Sequence, residues 1–247
     1  MPRPVRPIYP EAMDLRNRRL PNERLVVLAG LGVASGLCLG LELVREHRYA
    51  AFDFRFLIWN LILAWVPLLL ALFVYDRYRR GATLLALAPA LVLWLLFLPN
   101  APYIVTDFVH LSAGSKAPLW LDGVEVSAFA WTGMLLGFVS LYLVHAVARH
   151  RLGPALGWTG VLGVLALVSV GVYLGRVKRW NSWDLLTQPG ARLAQLHAHL
   201  GDPTALARAA GISIVVTGLL AAAYVVFYVL MGVRLEASAS RTPRLKR

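Results

Sequence analysis

The sequence contains a single cysteine, Cys38, among its 247 residues, and only 15% of its residues are charged. One cysteine excludes an internal disulfide bond and any zinc site built on cysteine pairs. The chain also lacks a GxSxG nucleophile elbow, a Walker phosphate loop, an HExxH zinc motif and a dinucleotide-binding glycine fingerprint. Hypotheses of enzymatic activity must therefore rest on clusters of polar residues, and no cofactor is expected.

Apolar residues are what the chain has in excess. They make up 58% of it, and the mean hydropathy is +0.62, well above what a soluble domain of this length needs for one core. The net charge is +12, but the basic residues lie in the tails and in short loops between apolar runs. This distribution is typical of a membrane protein with anionic lipid at its cytoplasmic face, and it is not that of a nucleic-acid-binding protein.

The apolar runs predict an all-α, polytopic bundle of about six membrane-spanning helices with short interfacial helices on its outer face. Residues 25–233 form one membrane domain, and residues 1–24 and 234–247 are basic cytoplasmic tails. Residues 191–200 carry leucines on one helical face and polar groups on the other, so they should lie along the membrane surface. The predicted spans are 25–44, 56–75, 83–98, 126–147, 156–174 and 203–233.

Glycines recur at four-residue spacing in two of these spans. Gly32, Gly36 and Gly40 form a smooth stripe on the first span, and Gly133 and Gly137 repeat the spacing on the fourth. Such faces let two helices approach closely. They predict helix packing within the chain, and association of two copies through a GxxxG face is a further hypothesis.

Lysine and arginine are unevenly divided between the two sides of the predicted bundle. The side with both tails has sixteen of them and the other side has nine, whereas acidic residues favour the second side. By the positive-inside rule, both termini are expected in the cytoplasm, with the protein in a bacterial inner membrane. The connectors after spans 1, 3 and 5 then face outward.

One outward stretch, LPNAPYIVTDFVHL at 98–111, places polar side chains beside two prolines. Pro99 and Pro102 remove backbone donors and should end the third span there, and Asn100 is placed to cap a new short helix. Such backbone at membrane depth needs cover by protein or a water-filled cavity. If the chain continues as an α-helix, one face carries Tyr103, Thr106, Asp107 and His110.

Asp107 and His110 stand three residues apart and can share a proton, a metal ion or a hydrogen bond. As a catalytic pair they would act as acid and base. A metal site is not favoured, because it would need a third ligand, for which Asp184, Asp122 and His47 are candidates. A buried structural hydrogen bond or ion pair is the remaining interpretation.

A second outward stretch, GRVKRWNSWD at 175–184, ends the fifth span with positive charge on the side where such charge is disfavoured. Arg176 and Arg179, three residues apart, would form a clamp for a carboxylate or a phosphate. The alternative is that they neutralise Asp107 and Asp184 within the protein.

Two further features point to the same outer region. Asn181 or Ser182 is placed to cap a helix whose first turn holds Asp184, where an acid is stabilised. Asn60 lies in the outer half of the second span, where an amide is costly in lipid, and is expected to point at this cluster. The predicted ligand-binding residues are Asn60, Asn100, Tyr103, Arg176, Arg179, Asn181 and Asp184.

The motifs WN in the second span, LPNAPYIVTDFVHL after the third and GRVKRWNSWDL after the fifth resemble an uncharacterised bacterial integral-membrane family, domain of unknown function 1361. The resemblance covers roughly residues 25–233. It implies a polytopic membrane fold and brings no established activity with it. It also implies that the family's motif positions are occupied here by Asn100, Pro102, Tyr103, Asp107, His110, Arg176, Arg179, Asn181, Trp183 and Asp184.

Three hypotheses of function follow. In the first, an outward-facing polar pocket binds an anionic headgroup or a small anion, with charge from Arg176 and Arg179 and orientation from Asp107, His110 and Tyr103. In the second, Asp107 and His110 serve a membrane-embedded lipid or glycolipid hydrolase or transferase. In the third, the chain is a structural or assembly subunit whose polar pairs are all internal. A transporter is less favoured, because spans 1, 4 and 6 carry almost no ionisable residues in mid-membrane.

Overall fold

The computed structural model describes residues 21–50, 54–111 and 116–240, so most of the predicted N-terminal tail and residues 241–247 lie outside the described residues. All regular structure in those ranges is helical, which confirms the predicted all-α class. Five segments are long and apolar enough to cross a membrane. The α-helices are α1 (Pro21–Tyr49), α2 (Arg55–Arg79), α3 (Leu84–Phe97), α4 (Asn100–Tyr103), α5 (Leu119–Lys178), α6 (Asp184–Thr187), α7 (Pro189–Leu200) and α8 (Pro203–Ser240).

Two of the six predicted spans lie in the long helix α5. Its backbone departs from helical geometry at Gly153, where φ is 84° and ψ is 169°, a conformation that is essentially restricted to glycine. The two arms fold against each other, since the ring of His145 lies 4.7 Å from that of Trp158. Helix α5 is therefore a hairpin of two spans, here called its first arm (119–152) and second arm (154–178).

Two apolar cores fill the bundle. The first lies among α1, α2, α4 and the first arm of α5 and includes Leu57 and Phe129. The second lies among α3, both arms of α5 and α8 and includes Val168 and Tyr224. The proline-containing segment 98–104 contributes side chains to both cores, so it is held between them.

Glycines on the first arm of α5 allow this segment to approach closely. A Cβ atom at Gly133 would lie 2.7 Å from Ile104 Cδ1 and 2.8 Å from the carbonyl oxygen of Ala101, and one at Gly137 would lie 2.9 Å from Ala101 Cβ. None of these three distances is compatible with an undisturbed side chain. The GxxxG spacing on this arm therefore packs α5 against α4 of the same chain.

Glycines on the second arm support the segment from the opposite side. A Cβ atom at Gly171 would lie 2.6 Å from Pro99 Cγ, and one at Gly175 would lie 3.0 Å from Tyr103 Cε2. The kink that the two prolines impose is thus enclosed by two glycine-bearing helix faces. This packing supplies the protein cover that irregular backbone at membrane depth requires.

The chain that follows the two prolines differs from its predicted form. Residues Ile104–His110 form a 3₁₀-helix, so the prediction of an α-helical face is wrong here. In a 3₁₀-helix residues three apart eclipse each other, which aligns Ile104, Asp107 and His110. Ile104 and Asp107 are buried in consequence, while the Thr106 hydroxyl turns back to donate to the Tyr103 carbonyl oxygen at 2.7 Å.

Candidate functional site

The candidate site lies where the start of α2, the 3₁₀-helix and the end of α5 meet. Its centre is Asp107, whose side chain is only 2% exposed. Asp107 Oδ2 accepts a hydrogen bond from Asn60 Nδ2 at 3.0 Å, and Oδ1 accepts from a terminal nitrogen of Arg176 at 3.3 Å. The side chain of Asn60 thus points at the cluster, as its position in the second span predicted.

His110 closes the cluster on its exposed side. Its side chain is 46% exposed, and Nε2 lies 3.9 Å from Asp107 Oδ1. Both terminal nitrogens of Arg176 lie 3.3 Å from the same Nε2. A guanidinium group can only donate, so Nε2 is the acceptor and the imidazole is neutral with its proton on Nδ1. The ring of Phe56 packs edge-on against this imidazole, 5.0 Å between centroids.

Arg176 is the link between the buried and exposed parts of the cluster. Its side chain remains 25% exposed while it holds Asp107 and His110. Helix α5 ends at Lys178, and Arg179 follows in a left-handed conformation with φ 55° and ψ 39°. Arg179 and Lys178 are exposed, but Arg176 and Arg179 do not occupy successive turns of one helix. The two arginines therefore do not form the helical clamp that their three-residue spacing predicted.

Asp184 has a different partner from the ones expected. It is 7% exposed, and its Oδ2 accepts from a terminal nitrogen of Arg192 at 2.8 Å and from the backbone N–H of Asn181 at 2.9 Å. The pairing of Asp184 with Arg176 or Arg179 is replaced by this bond to α7. Arg192 was missed because the helical pattern of 191–200 assigned it to a solvent-facing surface. The signal available was its position at the start of α7, only eight residues after Asp184.

The predicted capping roles are also replaced by other contacts. Asn100 is the first residue of α4, and its Nδ2 donates to the Phe97 carbonyl oxygen and to Ser182 Oγ, both at 2.8 Å. Neither Asn181 nor Ser182 caps α6, since Trp183 precedes it without a side-chain cap. Asn100 therefore ties the first polar stretch to the second, and Tyr103 does the same through its packing on Gly175.

Two of the three residues considered as further metal ligands are bound to arginines, and the third, His47, is exposed near the end of α1. Asp184 is bound by Arg192, and Asp122 by Arg45 at 2.8 Å. Within the ranges that the structure describes, no group of three His, Cys, Asp or Glu side chains is arranged to hold a metal ion. Asp107 and His110 can exchange protons and form hydrogen bonds through Arg176.

A second polar cluster was not predicted from the sequence, in which only Asp122 had been considered, as a candidate metal ligand. Glu42 and Arg45 near the end of α1 meet Asp122 and Glu125 near the start of α5, and all four side chains are buried, with exposures of 0–1%. The available signal was the equal spacing of the two pairs, each three residues apart near the end of one helix and the start of another. We call these four residues the α1–α5 acidic cluster.

The chain belongs to the family described as Protein of unknown function (DUF1361), whose model matches residues 59–233. The match includes both polar stretches and agrees with the resemblance that their motifs suggested. No curated protein and no solved structure matches the chain. Together with the five long apolar helices, membership in this family identifies an integral membrane protein.

Proposed function

We propose that this membrane protein binds an anionic group at the surface formed by His110, Arg176 and Arg179, and that the group is a lipid headgroup phosphate or a small free anion. The observation that carries the proposal is the geometry of Arg176. Its guanidinium is anchored by the buried Asp107 yet remains 25% exposed. A guanidinium has five N–H donors, so those not used by Asp107 and His110 are available to a ligand.

The charge balance of this surface supports an anionic ligand. Arg176 is offset by Asp107, and His110 is neutral because it accepts from Arg176. Lys178 and Arg179 are exposed, and in the described part of the chain neither forms an ion pair. The surface at the end of α5 therefore has net positive charge, which attracts phosphate and carboxylate groups.

Aromatic side chains beside this surface favour a ligand at the membrane interface. Trp59 is 53% exposed, and its ring lies 6.0 Å from that of Trp183. Tryptophan pairs of this kind are enriched at the level of lipid headgroups. We propose, from the distribution of lysine and arginine, that both termini are cytoplasmic and that this surface faces outward from an inner membrane.

A lipid or glycolipid hydrolase or transferase is the second candidate function. One observation favours it. His110 is exposed and neutral, and it lies next to Arg176 and to the buried side chain of Asp107. In such an enzyme Arg176 would have to release Nε2 of His110 before His110 could act on the substrate as a general base, while Asp107, at 2% exposure, would position Arg176. The anion-binding proposal needs no reacting bond and is the simpler account of the same geometry.

The test compares binding by wild type with binding by Arg179→Gln, which removes charge but leaves the Asp107 pair intact. Arg208→Gln is the matched control, since Arg208 is an exposed arginine near the start of α8. Native mass spectrometry with phosphatidylglycerol tests the lipid source, and inorganic phosphate in lipid-free detergent tests the free anion. We expect Arg179→Gln to bind the anionic probe at least several-fold more weakly, with Arg208→Gln equal to wild type.

If all three proteins retained both probes equally, the anion-binding proposal would be overturned, and a structural role would be the better account of these residues. A different result would support the enzyme: hydrolysis of a lipid probe by wild type that is lost in His110→Gln while phosphatidylglycerol remains bound. The two candidate functions are thereby separated by binding and turnover measured on the same preparations.

A further inference from the structure

The α1–α5 acidic cluster has more carboxyl groups than its arginine can balance. Arg45 Nε lies 2.8 Å from Asp122 Oδ1 and 3.5 Å from Glu125 Oε2, and the ring of Phe54 covers the guanidinium at 4.1 Å. One guanidinium carries one positive charge, whereas Glu42, Asp122 and Glu125 carry three negative charges if all are ionised. A fully ionised cluster would therefore hold two uncompensated charges inside the protein.

Glu42 is the member of the cluster that takes part in neither of these two ion pairs. It is only 1% exposed, and neither of its carboxyl oxygens has a hydrogen-bond partner among the described residues. Its side chain interacts with that of Glu125, which is fully buried and whose two oxygens also lack a hydrogen-bond partner there. Two buried carboxyl groups thus lie close enough to interact, and none of their four oxygens has a hydrogen-bond partner, although Arg45 Nε lies 3.5 Å from Glu125 Oε2.

A proton is the ligand that this arrangement requires. Two adjacent carboxylates repel each other strongly away from water, and an unpaired buried carboxylate is costly by itself. If one carboxyl group holds a proton, its O–H donates to the other carboxylate and both costs fall. A metal ion has less support, because the described residues contain no group of three suitable ligands.

We propose that Glu42 and Glu125 form a buried proton-binding pair that shares one proton at neutral pH and joins α1 to α5. Among the described residues, the other charged or titratable groups that face this pair are Arg45 and Cys38 of α1 and Asp122 of α5. The ring of Phe54, the residue directly before α2, packs on the guanidinium of Arg45. Loss of the proton at alkaline pH leaves two like charges at the α1–α5 contact, so the pair makes the docking of α1 sensitive to pH. This site is separate from the proposed anion-binding surface.

The test is the infrared C=O stretching band of a protonated carboxyl group, measured on the full-length protein in lipid nanodiscs across neutral and alkaline pH. An ordinary glutamate has a pKa of about 4.3 and gives no such band at neutral pH. The variants are Glu42→Gln, Glu125→Gln and, as a matched control one turn along α1, Glu46→Gln. Glu46 is partly exposed and pairs with Arg55.

We expect wild type to show the band at neutral pH and to lose it at alkaline pH. Glu46→Gln should keep the band, and Glu42→Gln and Glu125→Gln should each lose or shift it. Cys38 is fully buried against Thr132 at the α1–α5 contact, so its protection from thiol reagents shows whether α1 remains docked in each variant.

Wild type without a protonated-carboxyl band at neutral pH would overturn the proposal, whatever the variants do. So would a band that persists in both glutamine variants, since the proton would then belong to another buried acid such as Asp107. A divalent cation bound in equal amount to wild-type protein, and lost in Glu125→Gln, would also overturn it in favour of a metal site.

Discussion

Arg176 and Asp107, 69 positions apart in the sequence, meet at 3.3 Å, and they join the two polar stretches that the sequence places at the ends of different spans. The carboxylate is buried and the guanidinium reaches the surface. A pair of this kind holds a charged donor in a fixed orientation, so its removal should affect stability and ligand binding together.

Arg176→Ala should destabilise the protein by about 3 kcal/mol, because the mutation leaves a buried carboxylate with only Asn60 as a partner. Adding Asp107→Asn to this variant should recover part of the loss, since the uncompensated charge is then gone. Thermal unfolding in detergent measures both effects in a double-mutant cycle. If the two single effects simply add, Arg176 and Asp107 are not energetically coupled.

Gly133→Ala should destabilise the bundle by about 1–3 kcal/mol, because its Cβ atom would collide with the Ala101 carbonyl oxygen and Ile104. The matched control is Gly36→Ala on α1, where nothing lies within 4 Å and alanine favours the helix. Thermal unfolding of both variants measures the difference. An unchanged melting temperature for Gly133→Ala would contradict the close approach of α4 to α5.

Ser140→Ala should cost about 1–3 kcal/mol, because it leaves Trp94 Nε1 and the Pro67 carbonyl oxygen without their shared partner in the core. Ser127→Ala is the control, since that hydroxyl is exposed and bonds only to Gly123 of its own helix. The melting temperature should fall in the first variant, and the summed tryptophan fluorescence, to which Trp94 contributes, should change. Equal behaviour of the two variants would refute a structural role for Ser140.

The proposed orientation predicts opposite labelling of two exposed positions. A membrane-impermeant thiol reagent should label Gln188→Cys in intact bacterial cells and should label Arg80→Cys only after the membrane is opened. The native thiol of Cys38 is fully buried and should not interfere. The reverse pattern would place the anion-binding surface on the cytoplasmic side.

Membrane spans, the break at Pro99 and the cap at Asp202 could be predicted from sequence because each depends on local chemistry. A long apolar run can satisfy its backbone in lipid only as a helix, and a proline removes a donor wherever it stands. Asp202 stands directly before Pro203, a pairing typical of a helix start, and its Oδ1 accepts from the backbone N–H groups of Thr204 and Ala205. The 3₁₀-helix at Ile104–His110 could not be predicted, since its form depends on how closely α5 approaches it.

The sequence by itself determined that the chain is a polytopic helical protein and that two polar stretches end neighbouring spans. Only the tertiary structure decided which charges meet. It pairs Asp184 with Arg192 and Asp122 with Arg45, the latter across 77 positions, and it buries Glu42 beside Glu125. The physical reason is that periodicity reports the face of a helix on which a residue lies, whereas a partner is selected by the lateral arrangement of helices, which depends on packing throughout the bundle.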